Sequence, residues 1–273
     1  MRSSSRTLAF HKMHGLGNDF VIIDARDQSV AMTEPFARAL ADRRTGIGCD
    51  QVILLEPANN ADLRMRIFNA DGGEVEACGN AARCVTQLIG DAARIETSGG
   101  TISGTPNGAG AMLDMGEPRL DWDAIPLAYA MDTAHMPVSW EDLDDPIAVN
   151  VGNPHIIFFV DDAAAVDLAR LGPIIETDPL FPERINVNVA SVEADGSILL
   201  RVWERGAGLT RACGTGACAT TVAAAHRKLV SGETLVHLPG GDLSIAWAPG
   251  ETIRMTGPAT HVFTGEIDTE DFA

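Results

Sequence analysis

Short runs of β-branched and aliphatic residues recur along the chain, separated by glycine, asparagine and proline. The first quarter of the sequence contains VIID, QVILL and RMRIF. Apolar runs of this length, bounded by turn residues, predict β-strands rather than helices. We therefore expect much of the chain to form a meandering sheet.

Two longer stretches rich in alanine and small residues predict helices. One begins at Cys78 (CGNAARCVTQLIGDAA) and the other at Cys213 (CGTGACATTVAAAHRKLV). Both are weakly amphipathic, as expected of a helix that is enclosed on most sides. The combination predicts a sheet wrapped around one central helix.

The sequence is duplicated internally. A shift of 135 positions aligns segments without a gap from Gly17 to Gly79, so that RIFNADGGEVEACGN lies on RVWERGAGLTRACGT. Beyond this point the register changes by about six residues, and SGGTIS…MGEP then aligns with PGGDLS…MTGP. A repeat of this length predicts two pseudo-symmetric domains of the α/β (α+β) class. We expect each domain to be a curled, mostly antiparallel, barrel-like sheet around a central helix.

The segment from Arg119 to Ile147 is rich in aspartate, proline and tryptophan and lacks periodicity, which favours a crossover between domains. The stretch HVFTGEI after Pro258 resembles a strand and has no counterpart before Arg119, so we expect it to return to the first domain. The predicted domains are therefore 1–118 with 262–273, and 119–261.

Composition narrows the range of partners. The 273 residues carry a formal net charge of −18, with 38 acidic and 20 basic residues, which disfavours nucleic acid and anionic membranes as partners. The N-terminus has no apolar stretch of signal-peptide length, and nowhere do 18 apolar residues run together. We expect a cytoplasmic protein. Its five cysteines, an odd number, favour reduced thiols over a disulfide framework.

Cys78 and Cys213 occupy equivalent positions of the repeat, each at the start of a helix and followed by glycine. Unpaired amides and the helix dipole stabilise a thiolate at such a position and are expected to lower its pKa. The glycine and the amides beyond it suit a bound carboxylate. If two such halves face one substrate carbon, one sulfur removes a proton as thiolate and the other delivers one as thiol, which inverts the stereocentre. We therefore expect the active site in the cleft between the domains.

The cysteines and the glycine-containing segment HGLGND also admit other interpretations. Free cysteines are often buried core residues, and this interpretation is adopted for Cys49, Cys84 and Cys218. A zinc site is disfavoured because the cysteine spacings are not those of CxxC pairs and no histidine cluster accompanies them. No metal is therefore expected. HGLGND lacks the third glycine of a dinucleotide loop and precedes its strand, so no nucleotide site is expected either.

The motifs MHGLGNDF, RIFNADG, ACGN, GNPH, FPERIN, ERGAG and ACGTGACA closely resemble those of the diaminopimelate epimerase family, across nearly the whole chain. The resemblance implies a PLP-independent enzyme without cofactor that interconverts LL- and meso-diaminopimelate on the route to lysine. It also implies that Cys78 and Cys213 transfer the proton. Relatives are often dimeric, so a homodimer is possible.

Carried over position by position, the family pattern assigns substrate contacts to side chains and backbone amides of both halves. These are Asn18, Gln51, Asn69, Gly79, Asn80, Asn153, Asn186, Glu204, Arg205, Gly214 and Thr215. The repeat independently pairs Asn18 with Asn153, Gln51 with Asn186 and Asn69 with Glu204. His155 is a candidate to orient or assist a thiol.

Two positions depart from the family pattern. Ala81 stands where glycine is common, which the helix should tolerate, and Cys49 stands where an apolar or small residue is expected. Three alternatives stay open: a proline or hydroxyproline racemase-like enzyme, a relative of the phenazine-biosynthesis isomerases, and a non-catalytic amino-acid-binding protein. The paired cysteines, together with the residues around them, argue against all three.

Overall fold

The computed structural model describes residues 7–76 and 78–272, which fall into two compact units. The first unit comprises Met1–Leu113 with Gly257–Ala273, and the second comprises Asp114–Thr256. The domain limits at 118 and 261 derived from the sequence stay a prediction.

Most elements are strands, and four α-helices lie between groups of them in the described residues. The first part contains β1 (Thr7–Gly15), β2 (Asn18–Asp24), α1 (Glu34–Ala41), β3 (Gln51–Glu56), β4 (Leu63–Asn69), β5 (Glu74–Val75), α2 (Gly79–Ile89), β6 (Ala93–Thr97), β7 (Gly100–Asn107) and β8 (Gly110–Asp114). It continues with β9 (Ser139–Trp140), β10 (Leu143–Asp144), β11 (Ile147–Asn150), β12 (Pro154–Phe159), α3 (Leu168–Glu176), β13 (Asn186–Val192), β14 (Ile198–Glu204), β15 (Gly208–Thr210) and α4 (Gly214–His226). The last elements are β16 (Glu233–Leu238), β17 (Gly241–Ala246), β18 (Arg254–Pro258), β19 (Thr260–Asp268) and a 3-10 helix, Thr269–Phe272.

The sheet of the first unit is mixed. β1 pairs antiparallel with both β19 and β2, β2 pairs parallel with β3, and β3 pairs antiparallel with β4. β4 then pairs antiparallel with β5 and parallel with β6, which is antiparallel to β7. The two parallel pairs occur where a helix intervenes, α1 before β3 and α2 before β6, because a parallel pair needs a long crossover. A pure meander is therefore wrong at these two points.

The second unit repeats this order with the same register. β11, β12, β13 and β14 pair like β1 to β4, with β12 and β13 parallel, and β14 again pairs with β15 and β16. Phe20 lies opposite Gln51 in the first unit, and His155 lies opposite Asn186 in the second, each shifted by 135 positions. The pseudo-symmetry predicted from the repeat is confirmed.

The register change of six residues is visible after the second central helix. Leu63 pairs with Ile95 in the first unit, whereas Ile198 pairs with Val236 in the second, so the offset on the later strand is 141. Helix α4 is 13 residues long and α2 is 11, and the connection that follows α4 is also longer. The insertion thus leaves the strand pairing intact.

Each central helix is enclosed by the sheet of its own unit. Helix α2 contacts β1, β2, β6, β7 and β19, and α4 contacts β11, β12, β13, β14, β16 and β17. Every residue of α4 from Gly216 to Ala224 is buried. Burial on all sides explains why α4 lacks a polar face. Helix α2 does carry one, with Asn80, Arg83 and Gln87, so the weak amphipathicity expected from the sequence is wrong for α2.

A second helix packs on the outside of each sheet and was not predicted. Helix α1 buries Ala37, Leu40 and Ala41 in a core with strand residues such as Val21 and Phe68. Helix α3 buries Leu168, Leu171 and Ile175 in a separate core of the second unit. That core also receives residues of the segment between β8 and β11, among them Ile125, Leu127 and Met136.

Candidate active site

In each unit the predicted site residues lie at one end of neighbouring strands of the sheet. Asn18 and Gln51 begin the parallel strands β2 and β3, Asn69 ends the antiparallel strand β4, and Cys78 immediately precedes α2. In the second unit Asn153 immediately precedes β12, Asn186 begins β13, Glu204 ends β14, and Cys213 precedes α4. The alternation of parallel and antiparallel pairs brings each set to the same end of its sheet.

Cys78 is the N-cap residue of α2, with extended backbone angles. Its Sγ lies 3.8 Å from Asn18 Oδ1, a geometry in which the thiol donates to the amide oxygen. The side chain is half-buried, whereas Asn80 in the first turn is buried. Gly79 and Asn80 are the first two residues of the helix, where amides have no partner within the helix.

A chain of hydrogen bonds fixes the amide groups around Cys78. The fully buried Arg83 donates to Asn80 Oδ1 at 2.7 Å, and Asn80 Nδ2 donates to Asn18 Oδ1 at 3.2 Å. At the other end Asn18 Nδ2 donates to Asp50 Oδ2 at 3.0 Å. A guanidinium can only donate and a carboxylate can only accept, so both amides are held in one orientation. The oxygen of Asn18 consequently faces the sulfur.

Charged residues also lie beside Asn18 at this end of the first unit's sheet. Asp19 accepts from Arg43 at 2.6 Å and from Lys12 at 2.5 Å, and these cations hold its pKa well below the usual range although burial opposes them. Arg43 also pairs with Asp50 at 2.8 Å. Nearby, Gln51 Nε2 donates to Asn69 Oδ1 at 2.9 Å. The side-chain oxygen of Gln51 is buried and has no hydrogen-bond partner within the described residues.

Cys213 is buried at the start of α4, where its sulfur accepts from the Gly216 amide at 3.3 Å and lies 3.5 Å from Thr215 Oγ1. A Cβ on Gly216 would come within 3.2 Å of this sulfur and within 2.8 Å of Asn188 Oδ1. Glycine is therefore required for the helix start to close on the thiol.

Burial, followed by the neighbouring carboxylate of Glu204, raises the pKa of Cys213 well above its usual range. The Thr215 hydroxyl and the Gly216 amide oppose this shift but are outweighed. The lowered pKa predicted from the helix start alone is thus wrong for Cys213, because the burial and the acidic neighbour were not visible in the sequence. Burial likewise raises the pKa of Glu204, whose Oε1 accepts from Thr210 Oγ1 at 2.5 Å.

His155 lies behind Asn153 within the second unit. Its Nε2 is 2.9 Å from Asn153 Oδ1 and its Nδ1 is 3.1 Å from Asn188 Nδ2, so the neutral ring protonated at Nε2 satisfies both contacts. The ring is fully buried, and desolvation lowers the pKa of His155 to about 3. His155 thereby orients the amide of Asn153.

Asn186 and Arg205 are linked directly. The Asn186 oxygen accepts from the Arg205 amide at 2.9 Å, and its nitrogen donates to the Pro154 carbonyl at 2.8 Å. The Arg205 guanidinium donates to the Glu183 carbonyl at 2.9 Å. The turn that carries Glu204 and Arg205 is therefore anchored to the start of β13.

The remaining cysteines are buried in the cores. Burial raises the pKa of Cys49 to about 11 and that of Cys84 to about 12, and Cys218 is also fully buried. Across residues 7–76 and 78–272, no cluster of three or more histidine, cysteine, aspartate or glutamate side chains is arranged to hold a metal ion.

Comparison with known proteins identifies the family. The family model described as diaminopimelate epimerase matches residues 10–120 and 147–262. The chain belongs to this family. It is 66% identical over 264 residues to the diaminopimelate epimerase of Rhizorhabdus wittichii strain RW1, covering 96% of each chain. It is 58% identical over 268 residues to that of Zymomonas mobilis, covering 98% of this chain and all of the relative.

Solved structures share the fold at much lower identity. A phenazine biosynthesis protein of the PhzF family from Bacillus anthracis superposes with a TM-score of 0.68 at 16% identity, covering 96% of this chain and 99% of that one. A hydroxyproline epimerase from Agrobacterium vitis gives 0.64 at 15% identity, covering 96% and 91%. These confirm the predicted fold class, and the far higher identity to diaminopimelate epimerases favours that family over the alternatives.

The structure adds site residues that the motifs did not reveal. Arg83, Asp50 and Asn188 each orient an amide or ring at the site. Arg83 lies within ACGNAARC and Asp50 directly precedes Gln51, so their proximity to the site was readable from the sequence, whereas their partners were not. Within the described part of this diaminopimelate epimerase family member, no helix has the length and apolar character needed to span a bilayer.

Proposed function

We propose that this protein interconverts LL- and meso-diaminopimelate without PLP or metal, by moving a proton at the α-carbon between Cys78 and Cys213. The observation that carries the proposal is the duplication of one arrangement, a cysteine at a helix start beside polar side chains at a sheet edge. Racemisation by two bases needs one such group for each face of the carbon. The membership of the diaminopimelate epimerase family supplies the substrate.

The two sulfurs have different surroundings, which supports different resting states. Burial and Glu204 raise the pKa of Cys213, so we propose that it rests as a thiol at neutral pH. We propose that Cys78, whose thiol donates to Asn18 Oδ1 in this structure, gives up that proton to solvent before reaction and then removes the α-proton as thiolate. The Cys213 thiol delivers its proton to the opposite face. After one turnover Cys78 is the thiol and Cys213 the thiolate, so the reverse reaction starts from that state.

The amides of Gly79, Asn80, Gly214 and Thr215 are proposed to hold the reacting carboxylate. They lie in the first turns of α2 and α4, where backbone amides are unpaired and the helix dipole favours an anion. Negative charge develops on this carboxylate as the proton leaves, so donors placed there stabilise the transition state.

The second amino-acid group of the substrate requires polar and charged partners. We propose that they are Asn18, Gln51, Asn69, Asn153, Asn186, Glu204 and Arg205. An arginine binds a carboxylate with two parallel hydrogen bonds, while a carboxylate and amide oxygens accept from an ammonium group. Proline has no second amino-acid group, so this set favours diaminopimelate.

In heavy water, LL-diaminopimelate is expected to lose its α-proton NMR signal while the meso isomer appears, without added PLP or metal. The exchange occurs because the delivering thiol carries a solvent deuteron. Time-resolved proton NMR of substrate and product measures both events together. Binding without exchange would indicate an amino-acid-binding protein, and turnover of L-proline would favour the racemase alternative.

Mild oxidation is expected to join Cys78 and Cys213 and abolish turnover, and dithiothreitol is expected to restore it. Both sulfurs must approach one carbon in the proposed mechanism, which is compatible with the short distances of a disulfide. Mass spectrometry of peptides from the oxidised protein identifies the pair. Inactivation that dithiothreitol does not reverse, or a bond between other cysteines, would contradict the proposed proximity.

We further propose that the enzyme is cytoplasmic and works as a homodimer. On β19 the side chains of Val262 and Phe263 are about half exposed, which favours contact with a second copy. Sedimentation measurement of the molar mass in solution tests whether the protein is a homodimer.

A further inference from the structure

Glu176 is a buried carboxylate at the last position of α3, outside the proposed substrate contacts. Its Oε2 accepts from Trp203 Nε1 at 2.7 Å and its Oε1 accepts from the Gly206 amide at 3.0 Å. Arg184 Nη1 lies 3.5 Å from the same Oε1. A buried carboxyl group needs such hydrogen-bonding and cationic partners to compensate its desolvation, and two of the three, Trp203 and Gly206, flank one turn.

The two hydrogen bonds hold the chain on both sides of Glu204 and Arg205. Trp203 directly precedes this pair, and Gly206 directly follows it. The turn contains two glycines in the left-handed region, Gly206 at φ +76° and Gly208 at φ +88°, a conformation that glycine adopts without strain. The carboxylate of Glu176 therefore anchors the turn through the residues directly before and directly after Glu204 and Arg205.

Helix α3 also fits the indole closely. A Cβ on Gly172 would lie 2.5 Å from ring atoms of Trp203, so only glycine lets the helix approach this side chain. The opposite edge of the indole lies near Gly208, because a Cβ added to Gly208 would be 3.5 Å from the ring atom Cη2 of Trp203. Trp203 is thus packed between α3 and the end of the turn.

The duplication provides an internal comparison. The position equivalent to Glu176 in the first unit is Ala41, and those equivalent to Gly172 and Trp203 are Ala37 and Phe68. There the turn after β4 carries Asn69 and Ala70 in place of Glu204 and Arg205, and it is held by Arg38, which donates to the Asp71 carbonyl at 2.8 Å. Among residues 7–76 and 78–272, the unit whose turn presents an arginine is the one that has a buried carboxyl group at this helix end.

We propose that Glu176 is a positioning residue that fixes the turn carrying Arg205, and thereby the affinity for the second amino-acid group of the substrate. This inference rests on the proposed function, in which Arg205 binds that group. A preorganised guanidinium binds more tightly because less conformational freedom is lost on binding. Glu204 is held separately by Thr210 and by pairing with Gly208, so the proton-transfer step is less dependent on Glu176.

Glu176→Gln tests the proposal because glutamine has one accepting oxygen where two donors must be served. We expect KM for LL-diaminopimelate to rise about tenfold with kcat within about twofold, the pattern of lost binding that is shared by ground and transition states. Trp203→Phe removes one of the two hydrogen bonds and leaves the Gly206 bond in place, so its KM is expected to rise less, by about threefold. In the double variant the glutamine oxygen is again available to Gly206, so KM is expected to return to about that of Trp203→Phe.

The rescue separates positioning from a general loss of stability. If Glu176 had a merely structural role, each substitution would lower the melting temperature further. The double variant would then have the lowest melting temperature of the three variants and the highest KM. Unchanged KM in Glu176→Gln, or absence of rescue, would overturn the inference. If Glu176→Gln does not fold, Glu176→Asp replaces it, because the shorter side chain withdraws the carboxylate from Gly206. Its KM is then expected to rise as in Glu176→Gln, and an unchanged KM would overturn the inference. Absence of epimerase activity in the wild type would instead reject the proposed function.

Discussion

Replacing either Cys78 or Cys213 with alanine is expected to lower the epimerisation rate by about 10³-fold or more, in both directions, because general acid–base groups typically contribute 10²–10⁴-fold and inversion needs both faces. The remaining sulfur still reaches one face of the carbon. Any residual exchange in heavy water is therefore expected to return a deuteron with retention of configuration. Chiral chromatography and proton NMR of the same samples distinguish exchange from inversion.

Matched controls are available in the same helices. Cys84→Ala and Cys218→Ala remove buried thiols from α2 and α4 and are expected to retain most of the wild-type rate, with at most a small loss of stability. Substantial epimerisation by Cys78→Ala or Cys213→Ala would refute the two-base mechanism. Equal losses in the control variants would attribute the effect to packing rather than chemistry.

Acidification from pH 7 to pH 4 is expected to lower the free energy of unfolding by about 3 kcal/mol through His155 alone. The pKa of His155 is lowered from 6.5 to about 3 in the folded protein, so between these values the unfolded chain binds a proton that the folded chain does not. Stability therefore falls as the pH falls through this window and is unaffected above it. Urea unfolding at a series of pH values measures the effect.

The variant His155→Gln isolates this contribution, because glutamine can donate to Asn153 and accept from Asn188 but does not titrate. Other acid-sensitive groups, such as Asp19 with its lowered pKa, remain in both proteins and cancel in the comparison. His135→Gln, at an exposed position, serves as the control. An identical acid loss in wild type and His155→Gln would show that this ring is not the source.

Much of the fold was predictable because the duplication constrains the strands twice. A shift of 135 positions placed Gln51 on Asn186 and Asn69 on Glu204, and the strand registers of both units keep that correspondence. The central helices were predicted at Cys78 and Cys213 because a long run rich in alanine and other small residues favours a buried helix. The assignments of substrate contacts, in contrast, rest on family motifs and await the experiments above.

The outer helices were missed for local reasons. In α1 the signals were present: Thr33 caps the helix through the Phe36 amide, and Pro35 lies in the first turn. The helix is only eight residues long, however, and its apolar face is short. In α3, Pro173 lies inside the helix, and proline there argues against a helix when only the sequence is considered.

The electrostatics of the site could not be predicted from sequence spacing. The raised pKa of Cys213 depends on its burial and on Glu204, nine positions earlier, whose carboxyl is brought beside it by the β14–β15 hairpin. The lowered pKa of His155 depends on enclosure by strands that are distant in sequence. These are consequences of packing, and only the structure supplies them.

The pairing of β1 with β19 has a consequence for synthesis on the ribosome. Residues 114–256 emerge as a contiguous block and can complete their own contacts, whereas the amino-terminal half has to wait for the final strand to leave the exit tunnel. Until then one edge of β1 stays open to pairing with another nascent chain. The half that is translated first is thus the last to be finished, and truncation at the carboxyl terminus damages the beginning of the protein.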